Sequence, residues 1–174
     1  MALVVFLRGV NVGGYRSFRP AMFARQLKHL DAVSIGAAGT FVIRAAIARA
    51  QLRVEFARRL PFDAEMVICA NRDIRRLVSG NYFTGHRERR DIVRFVSVLS
   101  RLPRSAPSTP LSIPASAGWL VKILARKGRF VIGLYRRQMK VISCLGSLDR
   151  LYGSPAVTRN WNTMVTIAKV LDER

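Results

Sequence analysis

The feature that most constrains this chain is a short apolar run at its start. Leu3-Val-Val-Phe-Leu7 has no polar interruption, and it stops at Arg8 and a glycine-rich stretch, Gly9-Val-Asn-Val-Gly-Gly14. Five apolar residues are too few for a buried helix, and a run without alternation leaves no face for water. The pattern reads as a strand buried on both faces. Met66–Ala70 repeats the pattern and is expected to be a second central strand. A sheet with two such strands needs cover on both faces, so helices must pack on it, and more than the first half's own two.

The intervening segments supply those helices. Pro20 suits a first helical turn, and Phe23, Leu27 and Leu30 share one face of the helix it opens. Asp31 closes that helix. Val33–Ile35 and Thr40–Ile43 flank Gly36-Ala-Ala-Gly39 as a tight hairpin. Ala45–Leu60 is rich in Ala, Arg and Leu and ends at Pro61, which predicts a second helix. After the second apolar run, Asn71 can cap a short amphipathic helix that Gly80 terminates. The order β-α-β-β-α-β is the ferredoxin-like order.

Asn81–Arg90 is a polar, basic connector carrying Tyr82, Phe83 and His86. Beyond it, Ile92–Leu99 reads as a strand. Arg101–Ser116 holds four prolines and reads as a loop or extended arm. Trp119–Ala125 and Phe130–Tyr135 form a hairpin around Arg126–Arg129, and Thr158–Thr163 opens a final helix with Trp161 facing inward. The expected fold class is therefore α+β, two ferredoxin-like halves in a pseudo-repeat. The first half is residues 1–80, the connector 81–90 and the second half 91–174.

Charge narrows the function. The chain has 30 Lys+Arg against 10 Asp+Glu, a formal net charge of +20. The excess is shared by both halves, so there is no basic tail. Such a charge attracts polyanions by counterion release, although a scattered, solvated Arg bias would look the same in sequence. Cys69 and Cys144 lie apart in apolar surroundings, and His29 and His86 are isolated, so we expect reduced thiols, no metal site and no cofactor. The first apolar run is too short for a signal peptide and none approaches the length of a membrane span. A cytoplasmic protein is the expectation.

Three constellations are candidates for chemistry. Arg8, Asn11, Gly13 and Gly14 could hold an anion, the arginine through its fork of donors and the loop through its N–H groups. The spacing is neither that of a P-loop nor that of a dinucleotide fingerprint. A plain tight turn is the competing reading. Arg159, Asn160, Trp161, Asn162 and Thr163 concentrate hydrogen-bonding groups around one indole, against the simpler reading of a capped helix with an anchoring Trp. Lys127, Arg129, Arg136 and Arg137 flank Phe130 and Tyr135 on one hairpin, which would suit single-stranded nucleic acid, against a merely solvated tip. His86 beside Tyr82 and Phe83 has no nucleophile to serve, and no residue set in the chain marks a reaction.

Taken together, Arg8-Gly-Val-Asn-Val-Gly-Gly14 and Thr158-Arg-Asn-Trp-Asn-Thr163 resemble the two signatures of domain-of-unknown-function family 1697, a group of bacterial proteins. The resemblance spans nearly the whole chain. It implies an α+β protein of two ferredoxin-like halves and no established activity. One motif departs: where the family's first hairpin usually reads Gln-Ser-Gly-Asn, this chain has Ala37-Ala-Gly-Thr40. The expected function is binding of an anionic ligand through the Arg-rich surface, RNA or DNA foremost. The alternative is an enzyme or small-ligand protein acting on a phosphorylated metabolite at the glycine-rich loop.

Overall fold

The structure, a computed structural model, describes residues 1–11, 18–116 and 118–173. The chain is α+β, with two antiparallel sheets. It divides into two compact units, one of Met1–Arg76 with Val165–Arg174 and one of Leu77–Met164. The second unit therefore takes in the connector 81–90, and the last ten residues belong with the first.

The first unit contains β1 (Leu3–Leu7), α1 (Pro20–Gln26), β2 (Ala32–Ile35), β3 (Thr40–Ile43), α2 (Arg49–Arg59) and β4 (Met66–Ala70). Its sheet order is β2-β3-β1-β4, with Val5 opposite Phe41 on one side and Ile68 on the other. All five residues of β1 are buried, as the apolar run demands. On one face Leu3, Val5 and Leu7 pack with Phe23, Phe41 and Phe56, whose rings meet edge to face at 5.2–5.5 Å. That arrangement suits the ring quadrupoles. β4 lies at the sheet edge and is not a central strand as expected. An unbroken apolar run reports that both faces are covered, and Val67–Ala70 are buried even at an edge. Gly39, at φ +81°, cannot be replaced cheaply, because a Cβ there would meet Leu7 Cβ at 3.0 Å.

The border between units falls within α3 (Asn71–Val78). The second unit then has β5 (Ile92–Leu99), β6 (Leu111–Ile113), β7 (Val121–Lys127), β8 (Phe130–Arg136), α4 (Val141–Gly146), α5 (Leu148–Tyr152) and β9 (Ala156–Asn160). Its sheet order is β6-β7-β8-β5-β9. Without β6, the remaining four strands repeat the 2-3-1-4 order of the first sheet. The two units differ at the first crossover: residues 100–120 hold β6 and no helix among the described residues, because prolines punctuate them.

Two further expectations change here. Thr158 and Arg159 do not begin the last helix; they lie in β9, where Thr158 faces Ser97 and Arg159 faces Val96. The helix is α6 (Trp161–Asp172), of which 161–164 belong to the second unit and 165–172 to the first. The hairpin turn is narrower than Arg126–Arg129. Lys127 pairs with Phe130, leaving Gly128-Arg129 as a two-residue loop, with Gly128 at φ +57° in the place that a II′ turn reserves for glycine.

Candidate functional site

In the first unit, the glycine-rich loop leaves β1 at Arg8. The Arg8 guanidinium donates to Glu65 at 3.2 Å, and its backbone N–H donates to the Glu65 carbonyl at 3.0 Å. Asn11 sits in the left-handed region at φ +56°, which Asn tolerates better than most residues. Its Nδ2 donates to the carbonyls of Phe18 and Ala37 at 3.0 and 2.8 Å, and its Oδ1 accepts the Phe18 N–H at 2.9 Å. Asn11 is thus tied to Phe18 and to the β2–β3 turn. The tie to that turn uses a backbone carbonyl, so it does not depend on the side chains at Ala37 and Ala38. Gly13 and Gly14 lie outside the described residues.

In the second unit, the Thr158–Thr163 segment divides its labour. Thr158 shares a 2.6 Å hydroxyl–hydroxyl hydrogen bond with Ser97 on the adjoining strand. Asn160 Oδ1 accepts the Asn162 N–H at 2.9 Å, which makes Asn160 the cap of α6. Trp161 meets Phe83 at 5.1 Å and Tyr82 at 5.9 Å, both edge to face. Arg159 donates to the Thr158 carbonyl at 3.0 Å, and burial pulls its guanidinium down to about 10. It remains charged at neutral pH. Thr163 is half-buried in the first turn of α6.

Asn160 and Asn162 also line a cleft of about 320 Å³. Five arginines surround it: Arg87, Arg89 and Arg90 from the segment before β5, Arg94 from β5, and Arg137 just beyond β8. Ile92 and Leu134 give it an apolar lining, and Glu88 is its one acidic lining residue. Several of these guanidiniums are held in place. Arg89 forks onto Asp91 at 2.9 and 3.0 Å. Arg137 Nε donates to the Arg90 carbonyl at 2.7 Å. Arg94 lies 4.8 Å from the Phe83 ring centroid and donates to the His86 carbonyl at 2.7 Å and to Glu88 at 3.3 Å, while its buried Nε has no partner among the described residues. Arg87 and Arg90 are exposed and form no ion pair among the described residues.

The structure therefore brings Arg137 to Asn160 and Asn162, two motifs separate in sequence. It does not gather the other hairpin cations with them. Arg129 binds the carbonyls of Leu99 and Ser100 at 3.3 and 3.2 Å, Lys127 is exposed at the hairpin tip, and Arg136 lies over Trp119. Sequence reasoning passed over Arg87, Arg89, Arg90 and Arg94. The signal was present in the Arg-Glu-Arg-Arg run of the connector, but a charge run alone does not say what it faces. Arg8 and Asn11 belong to the other unit. Among the described residues no three His, Cys, Asp or Glu cluster as metal ligands, and neither Cys69 nor Cys144 is in a disulfide. No described helix is long and apolar enough to cross a membrane.

No family model matches the chain, and no curated protein matches it. Among solved structures, it is similar to the conserved bacterial protein SP0830 from Streptococcus pneumoniae. The TM-score is 0.60 at 16% identity, over 98% of each chain. A likeness at that identity is one of fold.

Proposed function

We propose that the second unit binds a phosphate-bearing anion at the arginine-lined cleft, with RNA or DNA as the first candidate. The observation that carries this reading is five arginines around one cleft against a single lining carboxylate. Guanidinium forks match phosphate oxygens two at a time, and the Asn162 side chain on the rim adds neutral hydrogen-bonding groups. Arg89 and Arg94 already pair with Asp91 and Glu88, so Arg87, Arg90 and the tethered Arg137 are the cations left to meet a phosphate. The glycine-rich loop, the alternative place for a phosphorylated metabolite, offers less support: Arg8 faces Glu65, and Asn11 is engaged by backbone.

We further read the two sheets as two ferredoxin-like halves, supported by the shared 2-3-1-4 order, with β6 replacing a helix in the second. Membership of family 1697 is part of the same proposal and rests on the two signature motifs. A cytoplasmic location fits cysteines that form no disulfide.

The test is a titration of a labelled oligonucleotide at several salt concentrations, with Arg87→Gln/Arg90→Gln beside the parent chain. The parent should bind with affinity falling steeply as salt rises. The double variant should bind more weakly and with a shallower salt slope, by about 0.7 for each single-strand phosphate that is no longer neutralised. Absence of binding at low salt, or an unchanged double variant, would overturn the proposal.

A further inference from the structure

Beside the cleft, on the same face of the second sheet, lies an aromatic side chain that the anion reading does not use. Trp119 is half-buried. Arg136 Cζ lies 4.2 Å from its ring centroid and Lys122 Nζ lies 4.7 Å from it. The sheet register fixes where these two cations stand. Arg136 is directly opposite Ile92, and Lys122 is directly opposite Leu134. Ile92 and Leu134 are both cleft residues. Residues directly opposite in an antiparallel pair share a face, with Cα atoms roughly 5 Å apart. Trp119 is therefore gripped by two cations that each stand one strand away from the cleft lining.

We propose, resting on the anion reading of the cleft, that its ligand is single-stranded nucleic acid and that Trp119 with Arg136 is the platform on which an unpaired base stacks. Arg136 is fixed for this role: its Nε donates to the Trp119 carbonyl at 2.7 Å, which holds the guanidinium over the indole. Both a guanidinium plane and an indole accept a stacked base. Lys122 reaches the ring on a flexible four-carbon stem and can turn to a phosphate when a base arrives. Phosphates then run along the cleft arginines while the base lies on the platform. A ring beside a basic groove is the arrangement that single-strand binders use, because every base has a π-face. A duplex keeps its bases stacked within itself and cannot use the platform. An inorganic polyanion has no base to offer.

The experiment compares a fluorescein-labelled oligothymidine, the same length of duplex and inorganic polyphosphate on the full chain at one salt concentration. The parent should prefer the oligothymidine. Trp119→Ala should weaken the oligothymidine about tenfold and leave polyphosphate unchanged, whereas Trp119→Phe should retain most of the affinity. If Trp119→Ala binds oligothymidine as the parent does, the platform is overturned while the cleft reading stands. If Trp119→Ala weakens both ligands equally and Trp119→Phe does not rescue, Trp119 is structural and the platform is again overturned. If neither ligand binds the parent at low salt, both proposals fall.

Discussion

Tyr152 is almost wholly buried, yet its hydroxyl has no hydrogen-bond partner among the described residues. A buried hydroxyl without a partner carries its desolvation cost, so Tyr152→Phe should stabilise the second unit by about 1–3 kcal/mol. The urea midpoint checks this, and a lower midpoint would show that the hydroxyl is satisfied. Burial pushes the Tyr152 phenol up, with Arg126 pulling part of the way back. The unfolded phenol then loses its proton first, so its contribution is fully present below pH 10 and is lost as pH rises through the raised value. Phe at 152 should remove part of that alkaline loss. Some should remain, because burial also pushes Tyr82 and Tyr135 up. Asn11 shows why single residues resist reading from sequence. Its type suits a ligand donor and a left-handed turn equally, and only its partners, the carbonyls of Phe18 and Ala37, separate the two.

Elements were legible where one signal sufficed. The uninterrupted apolar runs marked β1 and β4, Pro20 marked the start of α1, and Gly128 marked the hairpin between β7 and β8. The misses lie where two signals compete. β9 is Ala-Val-Thr-Arg-Asn, and its Thr and Asn also read as helix caps; the decisive partner is β5, about 60 residues earlier. β6 hides among prolines, which an edge strand can tolerate. Within β8, Gly133 stands opposite Phe95 on one side and Ile123 on the other, next to a bulge at Ile123/Ala125. A Cβ at Gly133 would clash with the Lys122 carbonyl and come within 2.9 Å of the Phe95 ring. The carbonyl cannot move without breaking the ladder. Gly133→Ala should therefore cost about 1–3 kcal/mol and lower the thermal midpoint. An unchanged midpoint would mean that β7 can shift, and the register there would need revision.

At the scale of the whole molecule the sequence stated the amount of charge and could not state its placement. If every one of the 10 carboxylates took one cation, 20 of the 30 would still lack a partner. Some acids already serve several: Glu55 lies within ion-pair distance of His29, Arg58 and Arg59. Ion pairs of this kind at a solvated surface contribute little, and salt weakens them. Repulsion among the unmatched arginines is also screened, and those groups are the majority, so screening removes more repulsion than attraction. Raising sodium chloride from tens to hundreds of millimolar should therefore raise the urea midpoint while lowering affinity for oligonucleotide. The choice of salt matters, because sulfate strengthens burial by exclusion whatever the charge. A midpoint that falls with sodium chloride would show that the ion pairs outweigh the repulsion. The two slopes must oppose each other in sign: the cations that destabilise the free protein are the ones a polyanion neutralises, so at low salt a saturating oligonucleotide should raise the midpoint most.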